Sequence, residues 1–201
     1  MRAPEVSVVS TGTANRASVM AALERVGARP SLAASVDDVV AGERVVLPGV
    51  GTFSAAAGEL DRQGLTEVLA ERIEDERPTL AICLGMQLFA KASDESPGVR
   101  GLGILDLTAR AFPAGVRRPQ LGWNRIEPDA GCALLSAGEA YFANSYRIEA
   151  APAGWGAAVT EHGTPFVAAL ERGPVLACQF HPELSGSFGL DLIRRWLTLG
   201  A

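Results

Sequence analysis

Short apolar runs alternate with amphipathic stretches along the first half of the chain. The apolar runs are of strand length and occupy residues 5–10, 43–51 and 78–83. In the stretches between and after them, apolar residues recur three or four positions apart, as on one face of a helix, over residues 16–28, 65–76 and 85–92. Strands that alternate with helices in this way predict right-handed βαβ units and a mostly parallel sheet.

The second half of the chain changes to consecutive strand-like segments that Gly, Pro and Asn separate. These segments cover residues 103–112, 122–128, 139–150, 155–163, 164–173 and 174–180. Helix is expected only at 132–137 and over the tail, 188–199. The whole pattern predicts an α/β fold with a mostly parallel central sheet flanked by helices and an antiparallel β extension, in a single domain spanning residues 1–201.

Composition narrows the classes of function. The chain has 201 residues, 48% of them hydrophobic, which is enough for a substantial core. A net charge of −5 without a basic patch speaks against nucleic acid as a partner. No segment has the length of a signal or membrane-spanning sequence, and the three cysteines match neither a metal site nor a disulfide framework. We therefore expect a cytoplasmic protein with reduced thiols, no membrane partner and no metal.

Cys83 ends the third apolar run, and a turn containing Gly85 carries the chain into the next helical stretch. This is the form of a nucleophile elbow, a strand-to-helix turn that exposes a reactive side chain at the carboxyl end of a sheet. A helix N-terminus favours the thiolate, and the amide of Leu84 is placed to stabilise an oxyanion. The usual elbow also has a glycine where Ala81 stands here. The pattern by itself fits a nucleophile and a buried packing cysteine equally well.

His181 is the better of the two histidines as a base for this thiol. His162 lies in a polar turn, where a solvated side chain is the simpler interpretation. His181 directly follows an apolar strand, and Pro182 favours an extended conformation for it. In an extended chain Glu183 faces the same way as His181 and can orient the imidazole. We therefore predict a triad of Cys83, His181 and Glu183 as nucleophile, base and orienting carboxylate.

Three motifs in order resemble the class I glutamine amidotransferases: PGVG at 48–51, CLGMQL at 83–88 and QFHPE at 179–183. Two more, GWN at 122–124 and YFANSY at 141–146, make the chain similar to the glutaminase subunits of imidazole glycerol phosphate synthases, a family of histidine biosynthesis. The resemblance spans almost the whole chain. It implies a subunit that hydrolyses L-glutamine to glutamate and ammonia and passes the ammonia to a (β/α)₈-barrel cyclase subunit in a heterodimer, without a cofactor.

The resemblance also implies roles for particular residues. It places the oxyanion on the amides of Val50 and Leu84. The residues that it implies for substrate binding are Gly51, Gln87, Glu95, Ser145 and Tyr146. Those that it implies for the partner interface are Asn15, Trp123 and Tyr141. From the residues alone, Glu95 is equally well a solvated loop charge. Core packing is the alternative for both aromatic residues, and it is favoured more for Tyr141 than for Trp123.

The sequence departs from the family pattern at several positions. Asn144 replaces a histidine, Leu184 replaces a cation after the His-Pro-Glu motif, and Ala14 and Arg16 replace a glycine and a leucine. None of these positions belongs to the triad, and several lie where the family meets its cyclase. Two alternatives therefore stay open: a paralogous glutaminase subunit that serves another synthase, and a non-catalytic regulatory subunit.

Overall fold

The computed structural model describes residues 3–12 and 16–199. The elements of the first half are β1 (Glu5–Val8), α1 (Arg16–Arg25), β2 (Arg29–Leu32), α2 (Val36–Ala41), β3 (Arg44–Gly49), α3 (Phe53–Arg62), α4 (Thr66–Glu74), β4 (Thr79–Cys83) and α5 (Leu84–Gln87). Those of the second half are β5 (Ala90–Ser93), β6 (Leu105–Ala111), β7 (Gln120–Pro128), β8 (Gly138–Asn144), β9 (Tyr146–Arg147), β10 (Gly156–Glu161), β11 (Pro165–Arg172), β12 (Val175–Cys178), a 3₁₀ turn (Pro182–Leu184) and α6 (Gly186–Thr198).

One large sheet organises the described part of the chain. Its nine strands lie in the order β2-β1-β3-β4-β12-β11-β10-β7-β8. The pairs from β2 to β12 are parallel, and the pairs from β12 to β8 are antiparallel. A smaller sheet joins β5, β6 and β9. The predicted fold class, a parallel sheet with an antiparallel extension, is confirmed.

Both faces of the parallel region are covered by helices. On β4, Leu80 and Ile82 pack into a cluster with α1 and α6, whereas Ala81 faces a second cluster with α3 and α4. Every position of β3 and β4 is consequently buried. Strands buried on both faces have continuous apolar runs, which is why these two are visible in the sequence.

The helix predicted over 85–92 is wrong beyond its first turn. After Gln87 the carbonyl oxygens of Leu88 and Phe89 accept hydrogen bonds from the amides of Leu102 and Leu105, at 2.7 and 2.9 Å. Gly101 lies so close to this segment that a Cβ on it would stand 2.2 Å from the Ala90 oxygen. Because a distant segment takes these carbonyl groups, the chain leaves the helix and forms β5.

The helix predicted over 132–137 is also wrong, since the backbone of this segment is irregular with bends. The buried carboxylate of Glu171 accepts hydrogen bonds from the amides of Ala133, Leu134 and Leu135. These bonds tie the segment to β11, 36–38 residues further along the chain, and satisfy its buried donors. The strand predicted over 139–150 is likewise divided, since the structure interrupts it at Ser145 between β8 and β9.

Four elements have no counterpart in the prediction: β2, α2, α3 and the 3₁₀ turn. Strand β2 lies at the sheet edge and contains Pro30, so it lacks the pattern of a buried strand. Helix α2 begins with a capping box between Ser35 and Asp38, a signal that is present in the sequence. Within the described segments, no helix has the length and apolar character that crossing a membrane requires.

Candidate active site

The backbone at Cys83 turns sharply between β4 and α5. Its φ of +54° and ψ of −106° belong to a region that residues with a side chain rarely adopt, at a cost of about 1–3 kcal/mol. Two glycines permit the turn. A Cβ on Gly85 would stand 2.1 Å from the Leu47 carbonyl oxygen, and one on Gly49 would stand 2.7 Å from the Leu84 Cβ. The close packing of β3 against the elbow therefore holds Cys83 in this conformation.

Ala81, at the position where an elbow usually has glycine, is accommodated within the core. It pairs with Leu47 of β3 and with Ala177 of β12, and its methyl group is buried in the second core cluster. The additional methyl group fits because the core on that face is apolar.

His181 and Glu183 lie beside this elbow on the chain that continues β12. His181 is extended, with φ −99° and ψ 96°, and its amide donates to the Tyr141 oxygen of β8 at 2.9 Å. Its Nδ1 lies 2.8 Å from Glu183 Oε1, and both side chains are almost completely buried. Ser185 fixes the segment, since its hydroxyl donates to the His181 oxygen at 2.7 Å and accepts from the Tyr141 amide at 2.9 Å.

The protonation of His181 is set by burial and by two partners that oppose it. Burial by itself lowers the pKa of the imidazole, but hydrogen bonds with Cys83 and Glu183, together with their charges, outweigh the burial and raise this pKa to about 10. The imidazole is consequently protonated near neutral pH, and both of its nitrogens are donors. In this form it donates to the Cys83 sulfur and to the Glu183 carboxylate, and it holds a proton that can be passed to a leaving group.

A cavity of about 290 Å³ opens over Cys83. This size is at the lower end of small-molecule sites, which are roughly 300–1,000 Å³. The residues that line it are Val50, Gly51, Cys83, Leu84, Gln87, Glu95, Ala143, Asn144, Ser145, Tyr146 and His181. The structure thus brings together every residue for which the sequence predicts an oxyanion or substrate role.

The carboxylate of Glu95 is held in place rather than free in a solvated loop. Its Oε2 accepts a hydrogen bond from the Phe53 amide, at the start of α3, at 2.6 Å. The neighbouring Ser96 hydroxyl accepts from the Ser54 amide at 3.2 Å. A negative charge at the rim of the cavity is suited to an ammonium group of a ligand.

Three residues of the site, Ala143, Asn144 and Gln179, were given no role from the sequence. The Ala143 oxygen lies 3.9 Å from Cys83 Sγ, and the side chain of Gln179 contacts the same sulfur at 3.7 Å. Gln179 stands two residues before His181, where the chain leaves β12. That spacing is the signal in the sequence from which it could have been found.

The remaining cysteines and the second histidine lie outside the site. Burial raises the pKa of Cys178 well above its usual value, and burial with the charges of Glu171 and Asp129 raises the pKa of Cys132. Both changes disfavour the reactive thiolate. His162 Nε2 lies 2.8 Å from the Arg117 oxygen, in a turn. Across the described residues no group of three or more His, Cys, Asp or Glu side chains could hold a metal ion.

An apolar surface lies next to the catalytic segment, and we call it the outer patch. It consists of Leu121, Trp123 and Leu184, which are exposed, and Tyr141, which is half-buried. The Trp123 and Tyr141 rings are in edge contact, with centroids 5.9 Å apart. Trp123 is 55% exposed and Leu121 65%, so Trp123 does not belong to the core. Asn15, the third residue predicted at the interface, is outside the described residues.

Comparison with known proteins identifies the class to which this fold and site belong. The family model for glutamine amidotransferase class-I matches residues 16–197. The chain belongs to the class I glutamine amidotransferase family. Two bacterial relatives are named imidazole glycerol phosphate synthase subunit HisH. The one from Streptococcus gordonii is 36% identical over 94% of this chain and 93% of its own length. The one from Escherichia coli K12 is 37% identical over 96% and 99%.

Further similarities extend this result. A plant relative, imidazole glycerol phosphate synthase hisHF of Arabidopsis thaliana, is 36% identical over 96% of this chain, which covers 34% of that protein. A solved glutamine amidotransferase shares the fold with a TM-score of 0.77 at 20% identity, covering 96% of this chain and 97% of that one. PurLQS from Thermotoga maritima does so with 0.71 at 18% identity, covering 97% and 98%. The family resemblance seen in the sequence is confirmed.

Strain at the elbow can be measured by exchanging alanine for glycine at two positions of β4. In a Cys83→Ala background, the alanine introduced at the elbow carries the unusual φ, whereas Ala81 lies in ordinary strand conformation. At both sites, replacing alanine by glycine removes one buried methyl group and increases the conformational entropy of the unfolded chain. These two costs are similar at the two sites. The change in the free energy of unfolding from Cys83→Ala to Cys83→Gly is compared with the change caused by Ala81→Gly. We expect the first to be more favourable to the folded state by about 1–3 kcal/mol, as measured by unfolding in urea. Equal costs at the two positions would show that the elbow is unstrained.

Proposed function

We propose that the protein is the glutaminase subunit of an imidazole glycerol phosphate synthase and supplies ammonia for histidine biosynthesis. The observation that carries the proposal is the cavity in which Cys83, His181 and the elbow amide of Leu84 meet. The similarity of almost the full chain to relatives named as subunits of that synthase gives the class of reaction. The resemblance to the family's own motifs agrees with both.

In the proposed reaction Cys83 acts as a thiolate. Its sulfur attacks the side-chain carboxamide carbon of glutamine, and the amides of Val50 and Leu84 stabilise the negative oxygen that forms. His181 gives its proton to the departing nitrogen, which leaves as ammonia while a thioester remains on the sulfur. His181 then takes a proton from water, which attacks the thioester and releases glutamate and the thiolate. Glu183 holds the imidazole in place throughout.

Substrate binding is proposed for the polar groups around the cavity. The Glu95 carboxylate suits the α-ammonium group of glutamine, since it is fixed at the rim by the Phe53 amide. Gly51, Ser145 and Tyr146 offer backbone groups to the rest of the amino acid. Gln87 lies one helical turn beyond Cys83, and its side-chain amide donates to the Tyr146 oxygen at 3.0 Å. Gln87 therefore holds the backbone of Tyr146 in position for substrate binding.

The proposed partner is a (β/α)₈-barrel cyclase subunit that covers the outer patch in a heterodimer. Exposed tryptophan and leucine side chains beside an active site are typical of interface anchors. The patch is continuous with the catalytic segment, because Tyr141 bonds to both His181 and Ser185. Leu184 makes this contact apolar where the family has a cation. The plant relative carries the matched region within a chain about three times as long, which agrees with a second component.

The proposed setting is the cytoplasm. Cys83, Cys132 and Cys178 are all free thiols. A reducing compartment keeps a catalytic cysteine in its reactive form.

Glutamine hydrolysis is expected to depend on one thiol. Cys83→Ala removes the nucleophile and should lower turnover by about 10⁴-fold or more, as loss of a triad member does. Cys132→Ala is the matched control and should stay within a few-fold of the wild type. Glutamate release is measured with the cyclase subunit and its ligand present. Substantial turnover in the Cys83→Ala complex would contradict the assignment, and a wild-type complex without turnover would favour the regulatory alternative.

The outer patch is expected to bind the cyclase subunit. Trp123→Ala removes its largest anchor and should weaken association by about 2 kcal/mol, roughly 30-fold in Kd, as measured by calorimetry. Val159 is 45% exposed on β10 and lies outside the patch, so Val159→Ala is the matched control and should leave Kd unchanged. Unchanged affinity and unchanged ammonia transfer in the Trp123→Ala protein would show that the partner binds elsewhere.

A further inference from the structure

The side chain of Gln179 contacts the nucleophile directly. Gln179 follows β12, is completely buried, and has its Nε2 3.7 Å from Cys83 Sγ, within reach of a hydrogen bond to sulfur. We propose that Gln179 is a catalytic residue that donates a hydrogen bond to the Cys83 sulfur, oriented through Gln87 by the backbone of Tyr146. The inference rests on the proposed glutaminase function and adds to the triad a neutral donor at the sulfur.

The hydrogen bonds fix which end of the Gln179 amide faces the sulfur. The Tyr146 backbone oxygen can only accept, so the Gln87 atom 3.0 Å away is its nitrogen. That nitrogen is also 3.0 Å from the Gln179 side chain, which must therefore present its oxygen to Gln87. The remaining end of the Gln179 amide, its NH₂ group, points at Cys83. The backbone oxygen at one end of the network thus determines the orientation of both amides.

The Tyr146 oxygen and the side-chain amides of Gln87 and Gln179 form a hydrogen-bonded relay to the sulfur. Rigid elements hold both of these side chains. The Gln179 backbone amide donates to the Ala168 oxygen of β11 at 2.8 Å, which extends the sheet past the end of β12. Gln87 is the last residue of the single turn that follows the elbow, and it is almost completely buried. Gln179 and His181 stand two residues apart beyond the end of β12, and both side chains interact with the Cys83 sulfur. A donor placed in this way needs no reorganisation during the reaction.

A neutral donor performs a task that His181 cannot perform alone. The sulfur is negative before attack and again when the thioester is hydrolysed and the thiolate leaves. His181 is protonated in both of these states, but its proton is the one that passes to the departing nitrogen and is taken back from water. The Gln179 amide keeps its N–H throughout and exchanges no proton with the substrate. In a buried site its hydrogen bond to the negative sulfur is strengthened by the low dielectric.

The test follows the ionisation of Cys83 without using turnover. In a Cys132→Ala/Cys178→Ala background, alkylation by iodoacetamide reports on Cys83, and its rate against pH gives the midpoint of thiolate formation. Gln179→Met keeps the volume and removes the donor, and we expect the midpoint to rise by about one pH unit, a tenfold loss of thiolate. Gln179→Glu places a carboxylate against the sulfur and should raise it further. In glutamine hydrolysis by the complex, kcat should fall about tenfold while KM changes little.

Two further variants separate this role from simple packing. Gln120 is a buried amide on β7 outside the relay, so Gln120→Met is the matched control and should leave the midpoint unchanged. Gln87→Met removes the group that orients Gln179 and should raise the midpoint by less than Gln179→Met does. It also provides a test of the proposal if the Gln179→Met protein folds poorly. A wild-type midpoint in both Gln179→Met and Gln87→Met overturns the proposal. Absence of glutaminase activity in the wild-type complex would instead overturn the proposed function, because the alkylation experiment does not depend on it.

Discussion

Gly85 packs against the carbonyl oxygen of Leu47, and the geometry of the whole site depends on this contact. A Cβ at Gly85 would stand 2.1 Å from that oxygen, so only a glycine lets the chain pass so close to β3. The turn that results places Cys83 at φ +54°, where it lines the cavity. The energy cost of this conformation is offset by the packing of β3 and β4, which are buried along their full length.

The order of the strands then assembles the remaining groups. Strand β4 lies between β3 and β12, and all three are parallel. Their carboxyl ends therefore meet at one edge, where ligands bind in sheets of this kind. The end of β3 brings Val50, the end of β4 brings Cys83, and the continuation of β12 brings Gln179 and His181. Segments far apart in the sequence become neighbours because of the sheet topology alone.

The parts of the fold that the sequence predicts are those in which neighbouring residues decide the conformation. The buried strands and the pairing of His181 with Glu183 follow from apolar runs and from one proline. The errors arise where a distant residue decides. Glu171 binds the amides of a segment that was expected to be a helix. Gly101 packs closely against the backbone carbonyl groups that would have continued α5. Gln179 was not predicted because the role of a side-chain amide depends on the groups that it contacts, and the sequence does not show these groups.

The protonation state of His181 tests the contact between nucleophile and base most directly. In a His162→Gln background one histidine remains, so its ring signals can be followed by NMR against pH. Because the pKa of His181 is raised to about 10, the imidazole should stay protonated near neutral pH and lose its proton only at high pH. Cys83→Ala removes the largest contribution that raises this pKa and leaves the opposing burial, so the proton should be lost at clearly lower pH. Identical midpoints with and without the thiol, or a neutral imidazole near pH 7 in the parent protein, would contradict the account.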